Sequence, residues 1–434
     1  MKNLRVLTLS TILATSLFAI QEQNLDYISI SMGGAGVASS IGSMSAYINP
    51  ALINNKDNKR TEIGLSIGAG LQEYQLGDPL NQLDEADVGD TLDRIANGEG
   101  DNPTVKQNAL NIQDALSNLS NKNNYLLISP TAGLSFKIGE HFALGVYAFA
   151  DAKAKAIVDG NKLDYIYYDE TYDVYIKYDP NTGKYSQTTQ SDYETNSVEY
   201  AMDNGETYLK VNAISIIEIP ITYANNFQYK DISINWGISA KYMRGTTSYT
   251  DIKFTDDDYD PLSNLDDNEV ETSTFGIDLG AVIQPNDSRF KLGISAKNIN
   301  TPSFDTITGE KYKLKPKITT GIAYSINDLV DVAIDYDITE TTDELVNQSF
   351  RYIGGGVNFH PVTWFSIRAG LKKNLADSNN YNGTIYTAGA SIGLKWLQID
   401  ASIQASQNEG SYDGTTLPRY LKANLAIVSK WGDN

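Results

Sequence analysis

Side chains that carry out covalent catalysis are scarce in this chain. It has no cysteine and two histidines, His141 and His360. A hydrolase needs a nucleophile beside a base, and that base is usually histidine. Both histidines fall in predicted tight turns, where they are read as turn residues and not as ligands. The lack of cysteine also excludes disulfide bonds and sulfur-ligated metals. We therefore expect a protein that is not an enzyme and has no cofactor and no metal site.

Acidic residues dominate the charge of the chain, whose formal net charge is −20. This balance argues against nucleic acid as a partner, because phosphates select basic surfaces. Many acids lie in one predicted loop, at Asp256, Asp257, Asp258, Asp260, Asp266 and Asp267. They fit either a solvated loop or a surface bridged by divalent cations to lipopolysaccharide, and no metal-loop spacing is present to decide between them.

A glycine cluster lies near the amino terminus, in the run 31–38 with Gly33, Gly34 and Gly36, and an Asn49-Pro50-Ala51 tripeptide follows it. Such glycines provide positive φ or close backbone approach, and Asn-Pro favours a fixed turn. We therefore expect an ordered insert at this position. These six residues are the candidate gate, although each also fits plain packing.

Two segments of the long loops carry apolar or aromatic side chains. A predicted helix near 105–119 has an apolar stripe that includes Leu110, Ile112, Leu116 and Leu119. This stripe either captures a hydrophobic ligand or packs on a companion helical segment near 79–96. The next loop is rich in tyrosine from Tyr165 to Tyr185 and predicts an extended hairpin, which is a plain structural element or a surface for a ligand, a phage or a protein.

The elements that must position these residues are strands. Period-2 alternation places Ile234, Trp236 and Ile238 on one face, opposite Asn235, Gly237 and Ser239. Fourteen candidate strands follow such patterns, over 61–72, 126–138, 142–155, 208–223, 232–241, 275–281, 290–297, 315–325, 330–338, 348–359, 364–372, 384–394, 397–404 and 419–430.

Loop length depends on strand parity. The connections after even strands are short, as at 139–140 and 225–230, whereas those after odd strands are long. This asymmetry is typical of an outer-membrane β-barrel with short periplasmic turns and long external loops. A soluble β-sandwich would not sort its loops in this way.

The alternation also predicts charged residues that face a lumen. They are Lys241, Asp278, Lys291, Asp331, Asp335, Arg368 and Asp400. Charges in a protein interior need partners, so both signs together favour a filled lumen over an open porin.

The predicted fold is all-β, an antiparallel fourteen-stranded transmembrane barrel with a hatch in its lumen and short helices in its first external loop. Residues 1–19 resemble a secretory signal peptide, with a basic start and an apolar run. The hatch covers 20–60 and the barrel 61–431, with long external loops over 73–124, 156–207 and 245–271. The predicted location is the outer membrane of a Gram-negative cell.

The glycine run and the Asn-Pro-Ala tripeptide resemble the amino-terminal hatch of the FadL/TodX outer-membrane transporters. Later segments at 315–324 and 365–374 are similar to the related TraF-like barrels. The resemblance implies a monomeric barrel whose hatch shifts when a ligand binds beneath the outer loops. It implies passive uptake of fatty acids, aromatic hydrocarbons or similar hydrophobic or amphipathic compounds.

The TraF-like segments keep an alternative open, in which the barrel supports conjugation, secretion or surface assembly through protein partners. A continuous apolar pocket leading to the hatch would favour transport, and a lumen packed with charged side chains would favour the alternative. In both cases the surrounding partners are membrane lipid and lipopolysaccharide.

Overall fold

The structure is a computed structural model that describes residues 24–55, 61–120, 123–255, 268–343, 348–394, 396–412 and 414–432. The predicted signal peptide and the acidic positions 256–267 lie outside these residues. No helix among the described residues is long and apolar enough to cross a membrane.

Fourteen strands form one closed antiparallel barrel, which confirms the predicted fold class and strand number. The barrel strands are β1 Thr61–Tyr74, β2 Tyr125–Ile138, β3 Phe142–Ile157, β4 Tyr208–Tyr229, β5 Ile232–Ile252, β6 Glu269–Pro285, β7 Phe290–Lys297, β8 Lys317–Asn327, β9 Val330–Asp337, β10 Tyr352–Val362, β11 Phe365–Asn374, β12 Thr384–Gly393, β13 Leu397–Ser406 and β14 Tyr420–Trp431. Each strand pairs with its neighbour in sequence, and β14 closes the barrel on β1 with Trp431 opposite Thr61.

The two faces of the wall alternate as the sequence predicts. Ile238 is 39% exposed, whereas the next residue, Ser239, is 2% exposed. In β6, Leu279 points outward and Asp278 is buried inside. The outer face is therefore an apolar surface for lipid, and the inner face carries small and polar side chains.

Short turns connect the barrel strands at one end, which we call the turn end. Longer connections join them at the other end, which we call the loop end. The predicted turn over 225–230 is shorter than expected, because β4 continues to Tyr229 and β5 begins at Ile232. The third long loop is also shorter than 245–271, since β5 extends to Ile252 and β6 begins at Glu269. Strand β10 starts at Tyr352, four residues later than predicted, because Gln348–Phe350 pairs with Thr341–Asp343 in a separate hairpin.

The first two long loops fold together at the loop end into a domain that we call the cap, residues 75–120 and 158–207. Its helices are α3 Gly77–Glu85, α4 Val88–Ala96, α5 Pro103–Ser120, α6 Gln190–Asn196 and α7 Val198–Asp203. A three-stranded sheet of Tyr165–Asp169, Val174–Asp179 and Lys184–Thr188 completes it. The left-handed residue Asp87 precedes α4, and its carboxylate caps the helix by accepting from the N–H of Asp90. This break divides the single predicted segment into α3 and α4.

Two smaller hairpins also stand at the loop end. They are Ser303–Asp305 with Lys311–Lys313, and Glu409–Tyr412 with Thr415–Pro418. The first hairpin buries Phe304 completely against the inner side of the wall, next to Gly245.

Candidate functional site

The amino-terminal segment lies inside the barrel. We call residues 24–55 the plug; it contains α1 Tyr27–Ser31, α2 Ser45–Ile48 and a 3-10 helix over Pro50–Asn54. Its hydrogen bonds reach inward side chains on different sides of the wall, at Glu62 in β1, Asp335 in β9 and Gln404 in β13. A segment that contacts opposite sides of the barrel in this way fills the lumen.

Polar contacts attach the plug to the wall. The backbone N–H groups of Gly36 and Val37 donate to Oδ2 of Asp335, at 2.8 and 2.9 Å. The N–H of Gly33 donates to the hydroxyl of Thr387 at 2.9 Å, and that hydroxyl donates to the carbonyl of Ser31. Hydrogen bonds to a buried carboxylate are stronger than neutral ones, so Asp335 is a strong polar anchor of the plug, as is Glu62, which accepts from the N–H of Ser43 at 2.6 Å.

The backbone conformation and the space around the three predicted glycines of the plug differ. Gly33 has φ of 70°, and a Cβ there would lie 2.3 Å from the carbonyl oxygen of Leu371. Gly34 has φ of 84° but open space around it. Gly36 does not have positive φ, and its Cβ would meet Cβ of Ser29 at 2.7 Å. Of these three glycines, only Gly33 combines positive φ with close approach to the wall.

Glycines of the wall also bring the plug close, a feature that the sequence analysis missed. A Cβ on Gly280 would lie 1.8 Å from Oδ1 of Asn49, and one on Gly237 would lie 2.4 Å from the carbonyl carbon of Pro50. Other wall glycines in contact with the plug include Gly64, Gly133, Gly293, Gly321, Gly354, Gly356, Gly370 and Gly389. The alternation of strands signals these positions, because each falls on an inward face.

The Asn-Pro-Ala tripeptide forms the predicted fixed turn near the turn end of the barrel. Asn49 caps the 3-10 helix, since its Oδ1 accepts from the N–H of Ala51 at 3.0 Å. Its Nδ2 donates to the carbonyl of Val37 at 2.8 Å and so joins the two halves of the plug. Pro50 occupies the first helical position, where its fixed φ suits the helix.

Most of the predicted lumen charges are buried and paired. Lys241 lies 3.1 Å from Asp278 and 3.4 Å from Glu218, and Arg368 lies 2.5 Å from Asp400. Lys291 and Asp331 instead line a cavity of about 630 Å³ at the turn end. The lumen therefore carries the predicted mixture of charges.

His141 lies in the predicted turn before β3, but the predicted turn at His360 is wrong, because the pairing of β10 with β11 continues to Val362 and Phe365 and places His360 within β10. His141 Nδ1 is 2.9 Å from the carbonyl oxygen of Ala224. His360 Nε2 is 2.8 Å from Asp331, at the mouth of the turn-end cavity.

The apolar stripe of α5 packs inside the cap. Ile112 and Leu116 are fully buried, Leu119 is nearly so, and Leu110 is half-buried. Ile112, Leu116 and Leu119 share one apolar core with Leu83 and Ile95 of the companion helices and with Tyr165 and Tyr178 of the sheet, and Leu110 is not part of it. The structure thus supports the packing interpretation for three of the four residues, and none of the four lines the two cavities of the barrel interior.

The tyrosine-rich loop forms the predicted extended hairpin and adds a third strand to it. Rings of Tyr168, Tyr175, Tyr193 and Tyr200 follow one another on its outer side, with centroids 4.9 to 5.4 Å apart.

Burial beside the carboxylate of Asp203 raises the pKa of Glu199 to about 7.

A second cavity, of about 170 Å³, lies on the loop-end side of the plug. Plug residues including Gly33, Val37 and Ile48 line one side of it. Wall residues Phe149, Ile216 and several lysines line the rest. The lining of this cavity is amphipathic. Among the described residues, the lumen therefore contains neither the continuous apolar pocket nor the solid packing of charged side chains that the sequence analysis gave as alternatives.

Several lysines of the lumen lie over tyrosine rings, which the sequence analysis also missed. Nζ of Lys297 is 3.3 Å from the ring centroid of Tyr47, and Nζ of Lys372 is 4.8 Å from that of Tyr352. Cation–π contacts of this kind hold an ammonium group beside apolar surface. Lys297 follows Lys291 at intervals of two along β7, so alternation alone places it on the inner face.

Together the fold and the interior define a class of protein, a closed fourteen-stranded membrane β-barrel filled by its own amino-terminal segment. The profile of the family described as "F plasmid transfer operon, TraF, protein" matches residues 46–337. The match covers more than half of the chain, and the chain belongs to this family.

Solved structures with the same fold include two hydrocarbon channels. A "TodX deltaS2S3 mutant monoaromatic hydrocarbon channel" has a TM-score of 0.51 and 10% identity, covering 95% of this chain and 100% of that one. A "CymD monoaromatic hydrocarbon channel" has a TM-score of 0.50 and 12% identity, covering 94% and 98%. The predicted resemblance to the FadL/TodX and TraF-like barrels is confirmed, and at these identities it shows the fold. No curated protein matches the sequence.

Proposed function

We propose that this protein is an outer-membrane channel for the passive uptake of hydrophobic or amphipathic small molecules, with the plug as its gate. The observation that carries the proposal is the amphipathic cavity between the plug and the loop end, which a gate residue, Gly33, and the anchor Asp335 both line. A ligand that enters this cavity contacts the plug directly. The loop end then faces the cell exterior, and the turn end faces the periplasm.

Several features support a plug that moves. Its attachment to the wall uses hydrogen bonds such as those to Asp335 and Thr387, which water can replace at a small net cost. A cavity of about 630 Å³ on the turn-end side offers space below it. The two hydrocarbon channels of the same fold are named for monoaromatic compounds, and this gives the first compounds to test.

An engineered disulfide tests the gate, because the natural chain has no cysteine. The hydroxyl of Ser135 in β2 donates to that of Ser43 in the plug at 2.6 Å, so Ser43→Cys with Ser135→Cys places two thiols together. We expect oxidation of the double variant to abolish uptake of labelled toluene and medium-chain fatty acids by cells, and reduction to restore it. Each single variant is the matched control.

Uptake that is equal in the oxidised and reduced double variant would show that the plug is not the gate. Uptake that is equal in cells with and without the protein would contradict the channel itself.

A second candidate function is a barrel that supports conjugation, secretion or surface assembly. The family description names a transfer operon, and the folded cap with its outer row of tyrosines offers a surface for a protein partner. Replacing the tyrosine row by Tyr175→Ala and Tyr193→Ala separates the two candidates. Loss of transfer or secretion with uptake unchanged would favour the second.

A further inference from the structure

An aromatic surface on the outer side of the cap is formed by the tyrosine row, which is Tyr168, Tyr175, Tyr193 and Tyr200. Tyr168 is exposed, and the other three rings are half-buried. The row lies outside the apolar core of the cap, whereas Tyr165 and Tyr178 on the opposite face of the sheet belong to that core. Packing of the core therefore does not explain why four tyrosines stand side by side on this surface.

The domain that carries the row is strongly acidic. Residues 75–120 and 158–207 contain 20 aspartates and glutamates but five lysines and arginines, so the cap has a formal net charge of −15 out of the −20 of the whole chain. A surface of this sign attracts cationic partners and repels anionic groups such as phosphates. The charge therefore favours a basic partner for the cap over a nucleic acid or an anionic lipid.

Carboxylates lie directly beside the rings of the row. The hydroxyl of Tyr168 donates to Oδ1 of Asp173 at 2.5 Å, and Glu199 lies within hydrogen-bonding reach of Tyr193. Neither carboxylate forms an ion pair with a residue that the structure describes. The row thus combines aromatic rings with negative charge that the described part of the chain does not neutralise.

One ring of the row already holds an ammonium group of the cap itself. Nζ of Lys162 lies 4.6 Å from the ring centroid of Tyr200, and the same ammonium group pairs with Glu206. An ammonium group over a tyrosine ring is a cation–π contact, which is stronger for arginine and lysine when water is partly excluded. Lys177, on the middle strand of the sheet, is paired with Asp164 at 2.6 Å. The remaining rings are therefore left for a cation from outside the cap.

We propose that the tyrosine row binds an extended basic segment of a partner protein, with lysine or arginine side chains against the rings and beside Asp173 and Glu199. Each contact repeats the arrangement around Lys162. The three intervals between the four rings are 4.9 to 5.4 Å. An extended peptide covers this distance, at most about 16 Å, in about five residues. The proposal is independent of uptake, and it names the class of partner for the second candidate function.

Titration of the purified full-length protein in detergent with a labelled peptide tests this surface. The probe peptide has five consecutive lysine and arginine residues between glycine and serine residues, and the control peptide has glutamine at the same five positions. The titration is made at pH 8, where Glu199 is ionised, because its pKa is about 7. We expect the basic peptide to bind and the glutamine peptide not to bind. Binding should weaken as salt is added, because salt screens exposed charges.

Substitutions in the row separate it from the general charge of the cap. Tyr175→Ala with Tyr193→Ala should weaken the basic peptide about tenfold or more, since two cation–π contacts are lost. Tyr175→Phe with Tyr193→Phe keeps both ring faces and should retain binding, which separates loss of the rings from loss of the hydroxyls. Hydrogen exchange over 103–120 checks that the core of the cap is intact in both double variants.

A matched pair of charge variants gives a second readout. Asp173→Asn should weaken the basic peptide about twofold to fivefold, because it removes one exposed carboxylate beside the row. Asp84→Asn removes the same charge from an exposed position on α3 and should have little effect.

Three results would overturn the proposal: equal binding of the basic and glutamine peptides, equal weakening by Asp84→Asn and Asp173→Asn, or an unchanged affinity in the double alanine variant. Binding of dextran, a neutral oligosaccharide, in preference to the basic peptide would also overturn it, since the row would then recognise sugar. If toluene is taken up but the peptide does not bind, this inference alone is wrong. If the peptide binds as described but no compound crosses the membrane, this inference stands and the proposed uptake function is wrong.

Discussion

The plug and the cap are both well packed, but different forces hold them. The cap has one large apolar core, built mainly from α3, α4, α5, α7 and the sheet, to which the ends of β3 and β4 add Ala156, Leu209 and Val211. The plug has no comparable core among the described residues, and its apolar side chains join several small clusters that include wall residues such as Tyr147 and Val282. Its other contacts are hydrogen bonds and close backbone approach to wall glycines.

This difference indicates which region can move. Opening the cap exposes a continuous apolar core to water, and each fully buried aliphatic side chain contributes roughly 1.5 to 3 kcal/mol to its stability. Displacing the plug separates several small apolar clusters, such as those of Leu25 and Ile53, and exchanges its hydrogen bonds to the wall for bonds to water, at about 1 kcal/mol each. We therefore expect a rigid cap above a movable plug.

The largest predicted effect is on the core of the cap. Ile112→Ala should destabilise the cap by about 2 to 5 kcal/mol, because it leaves a cavity around a fully buried position. Leu110→Ala, at a half-buried position on the same helix, is the matched control and should cost less. Hydrogen exchange over 103–120 measures the effect, and heat-modifiable migration checks that the barrel is intact.

If hydrogen exchange in the cap is unchanged by Ile112→Ala, the cap does not depend on this core and the contrast with the plug fails. If Leu110→Ala instead blocks uptake while the cap stays folded, this result would support the interpretation that the stripe captures a hydrophobic ligand.

A smaller effect separates two adjacent glycines of the plug. Both Gly33→Ala and Gly34→Ala place a side chain at positive φ, which costs about 1 to 2 kcal/mol. Gly33→Ala also forces a methyl group against the carbonyl oxygen of Leu371, which adds roughly 1 to 3 kcal/mol. Hydrogen exchange over 27–40 should therefore rise more in Gly33→Ala, and equal exchange in both variants would show that close approach to the wall does not matter.

The smallest predicted effect depends on pH. The pKa of Glu199 is about 7 in the folded cap, above its ordinary value of 4.5. The stability that the protonated Glu199 carboxyl contributes to the cap is therefore fully present below about pH 4.5 and is lost as pH rises through 7. At pH 8, Glu199→Gln should raise the free energy of opening of α7, as measured by hydrogen exchange, by about 1 to 3 kcal/mol. At pH 4 it should not change this free energy.

Rates corrected for intrinsic exchange measure this change. Glu194→Gln, at an exposed position of α6, is the matched control and should have no effect at either pH. A stabilisation by Glu199→Gln that is the same at both pH values would contradict the raised pKa.

The sequence predicts the barrel well because a membrane imposes a simple pattern. Outward residues such as Ile238 and Leu279 must be apolar, so each strand carries its own signal. Strand ends near the loop end were missed, as at 245–252, because above the bilayer both faces of a strand contact water or other protein and the alternation is lost.

The interior is harder to predict than the wall. Sequence indicates which residues face inward, and it placed Lys241, Asp278 and Arg368 there. Which inward residues meet depends on the register between strands, as with Lys297 and Lys317. The role of a wall glycine is equally hard to predict from sequence. Gly280 leaves space for Asn49, which is more than two hundred residues away in the chain.

The central claim is that the plug closes the lumen and is held there by Asp335. Single-channel recording in planar bilayers tests it most directly, with the natural protein compared to Asp335→Ala. Loss of this carboxylate removes the acceptor of two plug N–H groups. We predict that the natural protein shows almost no steady conductance and that Asp335→Ala, still migrating as a folded barrel, conducts several times more. Equal conductance in the two proteins would contradict the account.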